Sequence, residues 1–101
     1  MTEAPDIGIT LHALRRYIER VVSFRAFTSD DGQVVANFEH STGQSREMIE
    51  SLIRSDVLPR LPVTVLHNRS RRVIRGETAR FVVDRGMVIT CWKPDEEEEA
   101  A

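Results

Sequence analysis

Three side chains on one short stretch have the types and spacing for proton and phosphate chemistry: His12, Arg16 and Arg20 recur every four residues. On an α-helix that spacing advances about 40° per step, so the three form one stripe. An imidazole titrates near neutral pH, and two guanidinium groups can grip a phosphate through paired N–H donors. The stripe therefore suits an anion-binding face with a titratable group at its head. A plain solvated face accounts for the same pattern, because charged residues belong on the side of a helix away from the core. Arg15 and Glu19 flank the stripe and are spaced for an exposed ion pair.

A second basic set lies near the end of the chain. Arg71, Arg75, Arg80 and Lys93 can share one side of a sheet, with Arg72 beside them, because residues two apart in a strand share a face. Arg80, Val82 and Asp84 then fall opposite Phe81 and Val83. Thr90 and Trp92 also fall on a common side, where a hydroxyl and an indole beside arginines would suit a nucleotide. Thr90 as a simple β-former and Trp92 as a core or edge aromatic are the plainer explanations.

The charge distribution supports an anionic partner. The net charge is −2, from 14 basic and 16 acidic residues. Five of the acidic residues, Asp95 to Glu99, lie in the C-terminal tail, and the other 11 leave the rest of the chain basic. Eight basic residues fall between Arg60 and Lys93, opposed only by Glu77 and Asp84. All the basic residues except Lys93 are arginine, whose planar fork matches phosphate and carboxylate. A general arginine bias on a solvated surface would look the same.

Several other chemistries find no support. His12, His40 and His67 lack metal-ligand spacing to one another or to Cys91, so no metal and no cofactor is expected. The single cysteine excludes an intrachain disulfide, and its place in an apolar run suits a buried small hydrophobe. No glycine-rich phosphate loop and no Gly-x-Ser-x-Gly elbow occurs. No apolar run approaches the roughly 20 residues of a membrane span, and residues 1–9 do not read as a secretory signal. These features fit a cytoplasmic setting.

The elements that must position these residues can be read coarsely. Leu11, Leu14, Tyr17, Ile18, Val21 and Val22 recur at helical spacing, predicting a helix over 11–22 with Thr10 as its N-cap. Residues 23–44 read as an insertion or long connection, in which 34–38 is a short strand or a helical turn. A second helix is expected from Ser45 or Arg46 to about Leu58, with Met48, Ile49, Leu52 and Ile53 inward and Pro59 and Pro62 as stops. Strands follow at about 63–66, 71–75, 78–83 and 87–92, separated by Asn68-Arg69-Ser70, Gly76-Glu77 and Asp84-Arg85-Gly86. The reading is one α+β domain over 1–94: two N-terminal helices, then an antiparallel β-meander of three to four strands. Residues 95–101 are expected to be a disordered acidic tail.

The run Ile9-Thr10-Leu11-His12-Ala13-Leu14-Arg15-Arg16-Tyr17-Ile18-Glu19-Arg20-Val21 resembles the opening of small phage, plasmid and bacterial families that carry His-Ala-x-x-Arg-x-x-x-Arg on a helix. The run Phe81-Val82-Val83-Asp84-Arg85-Gly86-Met87-Val88-Ile89-Thr90 is similar to their last hairpin. Such families are grouped with the RelE-like and colicin-like ribonuclease toxins. The similarity covers both ends of the chain and not its middle. It implies a metal-independent endoribonuclease with His12 as base or acid, Arg16 and Arg20 as the phosphate clamp, and Thr90 as an orienting hydroxyl. It also implies RNA as substrate and a cognate inhibitor protein as partner.

Two functional readings follow. In one, the chain cleaves RNA by using the substrate's own 2′-hydroxyl as nucleophile. In the other it is a non-enzymatic phage or mobile-element accessory protein that docks RNA or another anionic macromolecule, or a protein partner, on its basic strands through Arg71, Arg72, Arg75, Arg80 and Lys93. The stripe of His12 points away from the sheet, so a cleft there needs residues 23–44 or a partner to complete it. The acidic tail would compete with an anionic ligand if it folded back, or would simply aid solubility. Homodimerisation is expected through residues 87–92 if that strand is an exposed edge.

Overall fold

The structure, a computed structural model, describes residues 7–25, 28–61 and 71–94. Its element order is β1 (Gly8–Ile9), α1 (Leu11–Arg20), α2 (Asp31–Thr42), α3 (Arg46–Val57), a 3-10 turn (Leu58–Arg60), β2 (Arg72–Arg75), β3 (Arg80–Asp84) and β4 (Met87–Trp92). The expected strand at 63–66 and the acidic tail at 95–101 lie outside the described residues. Among the described residues no helix is long and apolar enough to cross a membrane.

Each helix starts on a side-chain cap that satisfies an amide with no partner inside the helix. Thr10 Oγ1 accepts from the Ala13 amide at 3.1 Å. Asp30 accepts from the Gln33 amide at 2.8 Å, and Ser45 from that of Met48 at 3.3 Å. The carboxylate of Glu39 reaches from α2 to accept from the Arg46 amide at 2.9 Å, tying the start of α3 to the preceding helix. Gly43 ends α2 at φ 73°, a left-handed conformation that suits glycine.

The sheet corrects two expectations. It has four strands in the order β1-β4-β3-β2, and β1 runs parallel to β4 with Gly8 beside Met87 and Ile9 beside Val88. The sheet is therefore mixed rather than a pure meander, and three helices precede its last three strands. Within the sheet β4 lies between β3 and β1, and β1 covers it at Met87 and Val88. The remainder is antiparallel: β2 pairs with β3, and β3 with β4 through Arg85-Gly86. Both turn residues have positive φ, 53° and 76°, as a primed two-residue hairpin requires.

Register assigns the two faces of the sheet. Ile74, Phe81 and Cys91 are cross-strand neighbours, as are Val83 and Val88. All five are buried in the core beneath the helices. Leu14, Tyr17 and Ile18 of α1, Val34, Val35 and Phe38 of α2, and Ile49, Ile53 and Val57 of α3 complete that core. Tyr17 stacks on Phe81 with centroids 6.2 Å apart, and Phe24 meets Phe38 edge-on at 5.5 Å. The 23–44 segment, read as a connection, thus contains a helix that helps build the core. Four residues expected to face inward do not: Leu11, Val22, Met48 and Leu52 are 36–46% exposed. In α3 the buried line is Ile49, Ile53, Asp56 and Val57, rotated away from Met48 and Leu52.

Candidate functional site

The position of His12 follows from how the chain enters α1. The Thr10 amide donates to the Val88 carbonyl at 3.0 Å, and its hydroxyl lies 3.2 Å from the same oxygen and 3.3 Å from that of Ile89. These contacts fix the start of α1 on β4 while Leu14, Tyr17 and Ile18 face the core. His12 is thereby turned toward the start of α2. Its Nδ1 lies 3.4 Å from Asp31 Oδ1. Arg16 Nε donates to His12 Nε2 at 3.4 Å. Because Nε2 accepts, the ring proton belongs on Nδ1, facing the carboxylate.

Asp31 also receives Arg15 NH1 at 3.1 Å. The same Arg15 nitrogen donates to the Ser29 carbonyl at 2.6 Å, and its Nε donates to Glu19 at 3.2 Å. These carboxylates hold the Arg15 guanidinium above its ordinary pKa, the Asp31 hydrogen bond most strongly, against a smaller opposing effect of burial. Asp31, at the start of α2, thus brings a carboxylate from the 23–44 segment onto the head of the His12 stripe. Arg20 closes α1 two turns beyond His12, about 12 Å along the axis. A cation there also suits the carbonyl end of the helix.

The remaining candidates lie on the sheet. Register places Arg75, Arg80 and Trp92 in one cross-strand row and Val73, Val82 and Thr90 in the next, on the side opposite Ile74, Phe81 and Cys91. Cys91 Sγ faces the Ala13 carbonyl of α1 at 3.7 Å, which marks the helix side. Thr90 therefore sits across the sheet from the layer that holds His12. Arg71 meets Asp84 at 3.5 Å. Arg72 and Arg75 are exposed, and Lys93 follows β4 half-buried. Register pairs Arg72 with Val83, on the helix side of the sheet, so the strand candidates divide between its two faces rather than forming one group.

A third polar cluster was not anticipated. Asp56 is 7% exposed and reaches from α3 into the turn between β2 and β3. It accepts from the Glu77 amide at 2.7 Å, the Thr78 amide at 2.8 Å and the Thr78 hydroxyl at 2.6 Å. Arg60 NH1 approaches it at 3.1 Å and Arg60 NH2 lies 3.3 Å from Glu77. The Tyr17 hydroxyl donates to Thr78 Oγ1 at 3.2 Å, extending the chain to α1. Burial pushes the Asp56 carboxyl up, but the Thr78 and Glu77 hydrogen bonds and the charge of Arg60 together leave it below its ordinary value. Burial raises the pKa of Tyr17, only partly offset by its bond to Thr78. These groups line a cleft of about 270 Å³ with Leu52 and Ser55. Every oxygen of the carboxylate is engaged, so the cluster reads as a structural tie. One sequence signal marks it: Asp56 falls on the buried line of Ile49, Ile53 and Val57. No protein-family model, curated protein or solved structure matches this chain.

Proposed function

We propose that the face formed by α1 and the start of α2 binds an RNA phosphodiester and cleaves it without a metal ion. The observation that carries this reading is the line Asp31–His12–Arg16: a carboxylate orients an imidazole whose other nitrogen is in contact with a guanidinium. An oriented imidazole beside a phosphate-binding cation is the minimum machinery for intramolecular transesterification.

In the proposed reaction the substrate phosphate draws Arg16 away from Nε2 and frees that lone pair. His12 Nε2 then takes the proton of the 2′-hydroxyl. The 2′-oxygen bonds to the adjacent phosphorus as the bond to the 5′-oxygen breaks, and the departing oxygen takes a proton from solvent. Asp31 stabilises the imidazolium, Arg16 the charge on the phosphorane, and Arg20 a neighbouring phosphate further along the strand. The products are a 2′,3′-cyclic phosphate and a free 5′-hydroxyl. Thr90 has no part in this version, because register sets it on the other side of the sheet.

The test is RNA cleavage by the full chain, with products identified by mass. His12→Ala should lose activity on the order of a hundredfold or more while keeping its circular dichroism, and Asp31→Asn should lose less. Equal rates in the His12 variant and the native chain overturn the mechanism. A second reading rests on Arg72 and Arg75, both exposed on β2, with Arg80 beside Arg75 in the register, as a basic strand surface for nucleic-acid binding without turnover. Steeply salt-dependent RNA binding with no cyclic phosphate formed by the native chain would select it.

A further inference from the structure

Among the described residues β2 stands at the edge of the sheet, paired on one side with β3. All four of its residues, Arg72, Val73, Ile74 and Arg75, line a groove of about 410 Å³ together with Arg60. A groove bordered by every residue of an edge strand runs along the main chain, where alternate amides and carbonyls point away from the sheet. Arg72 and Arg75 are exposed, and neither has an ion-pair partner among the described residues. Arg75 also stands directly opposite Arg80 in the register, a like-charge pair that is unfavourable without a counter-charge.

We infer that the open edge of β2 is a docking site for an extended acidic segment of a partner protein, added to the sheet as a fifth strand. Main-chain hydrogen bonds along the edge would supply affinity, and side chains beside Arg72 and Arg75 specificity. Residues three apart point to opposite faces of a strand. The fitting segment therefore carries carboxylates at its first and fourth positions, one on each face, and apolar residues beside Val73 and Ile74. Val73 is 37% exposed and gains cover from such a neighbour. This pattern favours a peptide over a nucleic acid, which offers no ladder to a strand edge and no apolar pair between its charges. The inference does not depend on RNA cleavage.

The experiment titrates the full chain with a capped Ser-Glu-Val-Val-Glu-Ser peptide, with a Ser-Lys-Val-Val-Lys-Ser peptide and with a single-stranded RNA oligonucleotide. Amide hydrogen exchange is read at residues 72–75. The acidic peptide should bind and slow exchange along β2, and the lysine peptide should not. In the R72E/R75E variant the acidic peptide should weaken on the order of tenfold or more and the lysine peptide should gain binding. That reciprocal gain cannot come from a misfolded variant. The idea is overturned if the native chain ignores the acidic peptide, if exchange along β2 does not change on binding, or if only the oligonucleotide occupies the groove.

Discussion

Asp56 brings an ionised carboxylate against the main chain of a turn that would otherwise leave two amides without partners. The turn is tight enough that Gly76 is required next to it. A Cβ at that position would stand 2.5 Å from Asp56 Oδ2 and 2.6 Å from its Cγ, well inside contact distance of a side chain that is itself held by four donors. Gly76→Ala should therefore cost about 1–3 kcal/mol, the usual range for overpacking a filled site. Urea denaturation of the variant measures it, and a midpoint equal to the native one would show that the carboxylate moves aside freely. At this scale the sequence exposed the His12 stripe, because spacing along one helix is local information. It hid Asp31 as a partner of His12, since that contact joins helices whose packing no short window reports. Asp56 stands as an acid among apolar positions, but the turn whose amides it accepts from lies more than 20 residues downstream.

The elements that were missed are those with weak patterns of their own. The buried residues of α2, Val34, Val35 and Phe38, fall within little more than one turn, and the rest of the helix is small or polar. So short an apolar run fits a strand as well as a helix, and only packing on α1 decides between them. β1 has two residues and no alternation to detect, and its parallel pairing with β4 joins opposite ends of the chain. By contrast α1, α3 and the final hairpin announced themselves through caps, helical spacing and the Asp84-Arg85-Gly86 turn. The structural weight of α2 is testable at Phe38, which is fully buried and packs edge-on against Phe24. Phe38→Ala should destabilise the chain by about 3–5 kcal/mol, as removal of a buried aromatic does. A residue in a solvated connection would lose only a few tenths. Thermal unfolding separates these outcomes, and a small loss would mean that α2 contributes little to the core.

For the molecule as a whole, the helical layer and the sheet are joined by apolar packing and by the Asp56 tie, and the tie responds to pH. The carboxyl has a folded pKa below its ordinary value of 3.8, so its contribution to stability is fully present above that value. It is lost as pH falls below 3.8 toward the depressed folded value, because the unfolded chain then binds the proton first. The groups facing the carboxylate reinforce this direction: Arg60, the Glu77 and Thr78 amides and the Thr78 hydroxyl all favour the ionised form. Asp56→Asn keeps the shape but replaces an acceptor oxygen with an amide NH2, a donor that then faces other donors. At neutral pH it should lose about 1–3 kcal/mol, the cost of leaving a buried polar group unsatisfied. Denaturation series on both proteins from pH 7 to pH 3 should then show a gap that is widest at the neutral end and narrows below 3.8. A gap that stayed constant to pH 3 would mean that the negative charge is not what holds the turn to α3, and the tie would have to be assigned to shape alone.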